Sequence, residues 1–366
     1  MLDQLDDPVP FLPSPELVAA AKARGSRLRR RRRLGVTGAM IPVILVLAVL
    51  AGAVYVDHRL DQVQRVDVAA GVLTPVAAGA PYNVLVVGTD GPRTDGTDDG
   101  TRRADTIMVV HVDRSMPWLS VMSLPRDLVF DDGTRTTDRL DAVLAQGGPS
   151  ALISSIRDHL GLEISHYVEI DFSGFRKLID AAGGVTVQPT APIRDLTTGV
   201  ELDGTCQRLD GDQALAIARS RHVEYLDGGA WKPDQTGDLG RMDRQQDLLP
   251  PVLQGLKAAS TDPATLSSLL DVFADNTTVD SGFDRSTILG LVSWGRTIDE
   301  AHLARVKVPV VPFTTADGQD VLKLDHVGPD VIREFDHPTY STDPASPGGT
   351  VVLGDGYRSP VILRSC

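Results

Sequence analysis

An uncharged apolar run from Leu34 to Val56, LGVTGAMIPVILVLAVLAGAVYV, constrains this chain more than any other feature. A helix rises about 1.5 Å per residue, so about 20 residues cross the hydrocarbon core of a bilayer, and this run suffices. Arg27, Arg29, Arg30, Arg31, Arg32 and Arg33 stand immediately before it, whereas Asp57 and Asp61 follow. That asymmetry predicts a single span of the cell membrane, with a cytoplasmic N-terminus and everything after Val56 outside. A cleavable signal peptide is the rival, because Ala51-Gly52-Ala53 resembles a small-residue cleavage site. The long segment before the run, and the run's own length, favour an uncleaved signal anchor. The arginine run beside it fits topology and anionic headgroups better than a nucleic-acid arm.

Charge divides at the same place. Residues 1–33 carry a formal +4 and the rest −17, giving −13 for the 366-residue chain. An exported portion that acidic excludes nucleic acid as the main partner, since a phosphate backbone needs a basic face. A phosphate ligand in one local basic pocket remains compatible. Two cysteines, Cys206 and Cys366, are too few for a disulfide framework. In an oxidising space one bridge between them is allowed, but Cys366 is the last residue and the pairing stays open. The organisation read from composition is a basic, Pro-rich cytoplasmic tail (1–33), the anchor (34–56), a stalk (57–80), a large exported domain (81–336) and a Pro/Ser/Gly-rich tail (337–366) that adds little core.

Within the exported domain, Tyr82–Thr89 is an apolar strand that breaks into Asp90-Gly91, followed by a polar loop over Pro92–Arg103. Thr106–Asp113 and Trp118–Leu124 read as an antiparallel strand pair. Asp138–Gln146 and Pro149–Leu160 read as helices broken at Gly147-Gly148. His166–Asp171 is predicted as a strand, Phe172–Ala182 as a helix and Val185–Val187 as a strand. Asp210–Arg219 is predicted as a helix capped by Asp210. A long helix beyond Gly240, helices near Pro263–Ala274 and Arg285–Gly295, and strands near Val306–Val311 and Val321–Leu324 complete the pattern. Interleaved strands and helices indicate an α/β (α+β) fold, a mixed central sheet flanked by helices.

Polar clusters sit where these elements end: Asp90; Arg102-Arg103-Ala104-Asp105-Thr106; Pro125-Arg126-Asp127; Arg219-Ser220-Arg221-His222; and Gly237-Asp238-Leu239-Gly240-Arg241, running into Arg244. Arginines at element ends can converge on one loop-built site, and their planar forks match phosphate oxygens in pairs. Two aspartates beside a dianionic ligand repel it unless a divalent cation intervenes, so Asp90 and Asp105 are candidates to share Mg²⁺ (or Mn²⁺) with a pyrophosphate. Asp95, Asp98 and Asp99 read as loop solvation, His222 as a structural histidine, and Asp127 as a residue that orients Arg126.

The order of the pieces is more specific than any one of them. Asn83–Asp90 (NVLVVGTD), Arg103–Thr106 (RADT), Ser123–Asp127 (SLPRD), Tyr167–Phe175 (YVEIDFSGF), Leu209–His222 (LDGDQALAIARSRH) and Gly237–Gln246 (GDLGRMDRQQ) together resemble the LytR-CpsA-Psr family, in an actinobacterial flavour. The resemblance implies a magnesium-dependent phosphotransferase outside the cytoplasmic membrane. Such an enzyme moves a glycopolymer from a polyprenyl-pyrophosphate carrier onto peptidoglycan through a phosphodiester, with the lipid in an apolar groove between sheet and helices. Carried over by motif, Asp90 and Asp105 hold the metal. Asp90, Asp105 and Arg126 serve catalysis, while Arg103, Arg126, Arg219, Arg221 and Arg241, with Arg244 a weaker candidate, bind the pyrophosphate. Where the family often has lysine after the Pro-Arg-Asp motif, this chain has Arg139. A polyprenyl-pyrophosphate pyrophosphatase and a non-catalytic polyprenyl-phosphate-binding regulator would use the same residues.

Overall fold

The computed structural model describes residues 55–91, 103–116, 118–130, 137–298, 302–325, 328–336 and 359–366. Helical residues 55–61 (α1) precede β1 (Gln64–Val66), β2 (Tyr82–Thr89), β3 (Ala104–Val112), β4 (Leu119–Leu124) and β5 (Leu128–Val129). Next come α2 (Leu140–Leu160), β6 (His166–Asp171), α3 (Phe172–Ala181), β7 (Val185–Pro189), β8 (Ile193–Asp195), β9 (Val200–Leu202), β10 (Gln207–Leu209) and α4 (Gly211–Arg219). β11 (Glu224–Asp227), β12 (Ala230–Pro233), α5 (Gly237–Asp247), α6 (Leu249–Ala259), α7 (Pro263–Asn276), β13 (Thr277–Asp280) and α8 (Arg285–Gly295) follow. The last elements are β14 (Leu303–Lys307), β15 (Val310–Thr314), β16 (Asp320–Leu324), α9 (Gly328–Asp336) and β17 (Leu363–Ser365).

The apolar runs pair into a seven-stranded mixed sheet in the order β1-β13-β6-β2-β3-β4-β14. β2 lies parallel to β6 and antiparallel to β3, which is antiparallel to β4; β4 is parallel to β14. Thr89, Ala104, Leu124 and Asp171 therefore lie at one end of the sheet. Strand alternation sends Leu85, Val87, Ile107, Val109, Met122 and Leu124 to one face, where they bury with Leu140, Leu152, Ile153 and Ile156 of α2. On the other face Tyr82, Val84 and Val112 are buried, with Val86, Val110, Val168 and, from α8, Leu291 and Trp294 packed against them. A second core joins β7, α4, α6 and β17.

Local signals account for the helices. α2 is broken at Gly148 (φ 66°, ψ −166°), just before Pro149, because that backbone is open to glycine and proline can start a helical turn but not continue one. Asp210 and Gln213 form a reciprocal capping box on α4, and Asp171 caps α3 by accepting from Gly174 N at 2.7 Å.

Two sequence readings need correcting. The segment assigned to a stalk is partly structural: Leu60 and Val63 are buried, and β1 pairs in parallel with β13 at the sheet edge. The Pro/Ser/Gly-rich tail ends in core: Val361 and Leu363 are buried, β17 pairs with β7, and Cys366 is bonded to Cys206. The cause in both cases is an open strand edge whose N–H and C=O groups a distant segment satisfies. The basic tail and nearly all of the apolar run Leu34–Val56 lie outside the described residues. Among the described residues no helix is long and apolar enough to cross a membrane.

Candidate active site

Where β2 and β3 pair, the register shifts: Gly88 faces Thr106 but Thr89 faces Ala104, so Asp105 is the extra residue of a β-bulge. A bulge bends the strand and re-aims its side chain. Here it delivers the Asp105 carboxylate to three arginines from three other segments. Arg126 Nη1 lies 2.6 Å from Asp105 Oδ1, and Arg221 Nη2 and Arg241 Nη1 each lie 3.5 Å from it. A second carboxylate closes the cluster: Asp238 Oδ1 is 3.0 Å from Arg221 Nε, 2.9 Å from Arg241 Nη2 and 4.0 Å from Arg126 Nε.

Each arginine is held by the backbone that carries it. Arg126 sits in the turn leaving β4, fixed by Leu128 N to Pro125 O and by Asp141 N to Arg126 O, both 3.1 Å. Arg221 follows Ser220, the fully buried C-cap of α4, and the next amide, His222 N, donates to Asp195 at 3.1 Å. Arg241 projects from α5, whose first turn packs so closely that a Cβ on Gly240 would lie 2.0 Å from Thr236 Oγ1. Further along α5 the Gln246 amide donates to Ser123 Oγ and Val306 O, tying the helix to β4 and β14.

Electrostatics follow the same contacts. Burial alone would depress the Arg126 guanidinium, but Asp127, Asp105, Asp238 and Asp141 outweigh it and raise its pKa. Arg221 shifts the other way, lowered by burial and by the neighbouring Arg241 and Arg126 charges. Asp127 is raised: desolvation, with Asp238 and Asp141 nearby, exceeds the pull of Arg126 and Arg139. Arg126 Nε and Arg241 Nε are buried and have no hydrogen-bond acceptor among the described residues. Two guanidiniums thus hold unused donors inside a site that Arg221, with a third of its side chain exposed, leaves open to solvent.

The remaining sequence candidates fall in three places. Arg139 adjoins the cluster, 3.3 Å from Asp127 and 3.2 Å from Asp141. Asp90 and Arg103 stand at the same sheet end, where Arg103 N donates to Asp90 Oδ1 at 3.2 Å; Arg103 is exposed, and the loop between them lies outside the described residues. Arg219 is exposed, with its guanidinium 4.8 Å over the Phe172 ring rather than on the aspartates. Arg244 departs from the expectation of a pyrophosphate ligand. It is buried in an ion pair with Asp234 at 2.9 Å and lies outside the Asp105–Asp238 cluster. Asp238 is the member that sequence reading passed over; its i, i+3 spacing to Arg241 on a helix was the available signal. Among the described residues no three His, Cys, Asp or Glu side chains are grouped to hold a metal. Two carboxylates at one sheet end still fit a hard cation that takes its other ligands from phosphate and water.

On the sheet face opposite α2, Gly88, Thr106 and Ile170 are half-buried at the cluster's end of the three central strands. Farther along the same face Met108 is buried, and Val86, Val110 and Val168 are packed into the apolar clusters of that side.

The profile of the LytR_cpsA_psr family matches residues 47–333. A probable cell wall biosynthesis protein LcpB from Corynebacterium glutamicum is 28% identical over 344 residues, covering 87% of this chain and 76% of that protein. A polyisoprenyl-teichoic acid–peptidoglycan teichoic acid transferase TagU from Halalkalibacterium halodurans is 30% identical over 228 residues, covering 62% and 68%. Among solved structures, a LytR-Csp2A-Psr enzyme from Actinomyces oris superposes with a TM-score of 0.60 at 28% identity, covering 76% of this chain and 96% of that one.

Proposed function

The chain belongs to the LytR-CpsA-Psr family, and from that premise we propose that it transfers a glycopolymer from a polyprenyl-pyrophosphate carrier to peptidoglycan, forming a phosphodiester. The observation that carries this reading is the convergence of Arg126, Arg221 and Arg241 on Asp105 and Asp238, with buried guanidinium donors that find no acceptor among the described residues. Phosphoryl transfer asks a protein mainly for positioning and charge neutralisation, and guanidinium forks supply both. The half-buried surface at Gly88, Thr106 and Ile170, at the cluster's end of the sheet, suits the first isoprene unit of the carrier. Arg139 extends the positive rim, and Arg103 reaches the ligand from the loop edge.

In the reaction, an acceptor sugar hydroxyl attacks the phosphorus nearest the glycopolymer. The bond from that phosphorus to the bridging oxygen breaks, polyprenyl phosphate leaves, and the hydroxyl proton passes to a carboxylate at this sheet end. Arg126, Arg221 and Arg241 turn from the aspartates to the phosphate oxygens as the ligand enters. Asp90 and Asp105 would hold Mg²⁺ (or Mn²⁺), which would supply charge neutralisation on the phosphates. The span at Leu34–Val56 keeps the site beside the membrane that contains the carrier.

The test incubates the full chain in detergent with synthetic polyprenyl-pyrophosphate saccharide, Mg²⁺ and peptidoglycan fragments. A saccharide–peptidoglycan phosphodiester is expected, lost in Arg126→Ala and Asp105→Ala. Release of saccharide phosphate without a linked product would instead identify a pyrophosphatase. Tight carrier binding with neither product would identify a regulator.

A further inference from the structure

One charged pair near the site never meets it. Arg244 lies on α5 one turn after Arg241, and its side chain and that of Asp234 are each 1% exposed. Around this pair four segments meet. Asp234, just after β12, accepts from Thr236 N at 2.9 Å at the start of α5 and from Ser359 Oγ at 2.7 Å in the C-terminal segment. Arg244 donates through Nη2 to Ser220 O at 2.7 Å, the carbonyl immediately before Arg221. Gln245 reinforces the join, donating to Ala218 O at 2.9 Å, and Asp243 accepts from Ser359 N at 2.9 Å. Arg221 and Arg241 share both aspartates of the site yet belong to different elements, so something must fix their spacing. Arg244 connects the backbone beneath one to the helix that carries the other.

We propose that Asp234 and Arg244 are positioning residues: their buried pair, closed by Ser359, holds the Ser220–Arg221 turn against α5 and sets the separation at which Arg221 and Arg241 receive a pyrophosphate. A ligand whose two phosphates are gripped by forks from separate elements is sensitive to that separation, because paired guanidinium–phosphate hydrogen bonds depend on geometry and a displacement of about 1 Å can cost about 100-fold in reaction rate. The inference rests on the pyrophosphate reading of the site. It goes beyond that reading by assigning a role to a side chain that touches no ligand and to a C-terminal segment far away in sequence.

The experiment measures farnesyl pyrophosphate affinity by calorimetry on the full chain in detergent, with circular dichroism and melting as controls for folding. Asp234→Asn is expected to weaken binding at least tenfold. Because an unpaired buried arginine also destabilises, the decisive variant is Asp234→Leu with Arg244→Met, which replaces the pair by apolar packing of similar volume. Native melting with affinity still down tenfold supports positioning, whereas native melting with affinity within twofold of wild type overturns it. Should that double variant not fold, Arg244→Lys decides. Its ammonium keeps the charge opposite Asp234 but lacks the rigid fork whose two nitrogens reach Asp234 and the Ser220 carbonyl in fixed directions, and unchanged affinity again overturns the proposal. Arg221→Ala and Arg241→Ala separate the two levels. If both bind like wild type, the pyrophosphate reading falls, and the inference with it. If both lose binding while the Asp234 and Arg244 variants keep it, only the inference falls.

Discussion

Arg241 and Arg244 lie three residues apart on one helix, both almost fully buried, and each pairs with aspartate. Their surroundings differ. Arg241 shares Asp105 and Asp238 with Arg126 and Arg221, side chains between a fifth and a third exposed, so water or a ligand can replace its partners. Arg244 is enclosed by Asp234, Ser220 and Ser359. Each has a guanidinium Nε without an acceptor among the described residues, so an orphaned donor alone does not mark a ligand site. What marks it is an orphaned donor beside exchangeable, partly exposed partners. One network is built to be opened and the other to stay shut.

The largest expected effect breaks the closed network. Arg244→Ala leaves Asp234 charged and buried, which costs about 3–5 kcal/mol. Melting curves should fall by several degrees, and a change under about 1 °C would show that Arg244 is not the enclosed partner described above. Next in size is a pH effect at the last turn of α5, where the Asp247 carboxyl is pushed up to about 6 by burial, against the pull of Arg305 and the Leu363 amide. The folded value lies above that of an unfolded aspartate, about 3.9, so the folded state binds the extra proton between these limits. Stability should therefore fall as pH rises from about 4 to about 6 and level off above, by at most about 3 kcal/mol. Asp247→Asn should flatten that segment of a denaturation-versus-pH profile; an unchanged slope assigns it to other groups.

The open network should respond oppositely. Arg221→Ala is expected to weaken pyrophosphate binding about 10- to 100-fold, the range of one charge-assisted bidentate contact of about 1.5–3 kcal/mol, and to move melting little. A large loss of stability with intact binding would place Arg221 on the structural side of the comparison. The smallest effect belongs to Arg219, stacked on Phe172 at the surface. Arg219→Ala should change stability by about 0.5–1 kcal/mol or less and affinity under threefold. A tenfold loss of affinity would mean that this guanidinium leaves the ring when ligand binds.

Much of this was legible in the residues. His166–Asp171 and Arg285–Gly295 have the bounds their apolar patterns predict, and Arg126, Arg221 and Arg241 meet as their motif order implies. The mixed sheet follows from strands that end in polar turns. Three things were not legible. Which of Arg241 and Arg244 faces the site depends on Asp234 and Ser359, 10 and 115 residues away from Arg244, and helical spacing cannot say which face a distant segment will cover. The bulge that aims Asp105 is a pairing irregularity, invisible until β2 and β3 are in register. The three-residue edge strands Gln64–Val66 and Leu363–Ser365 have too little apolar sequence to announce themselves, and they are ordered by open edges elsewhere in the fold.

The central claim is a grip on two phosphates at once by arginines from separate elements. Calorimetric titration of the full chain with farnesyl pyrophosphate and with farnesyl monophosphate, on wild type and Arg221→Ala, tests it most directly. At least tenfold preference for the pyrophosphate in wild type, collapsing in the variant, is the predicted result. Equal affinity for the two ligands, or a preference that survives loss of Arg221, would contradict it.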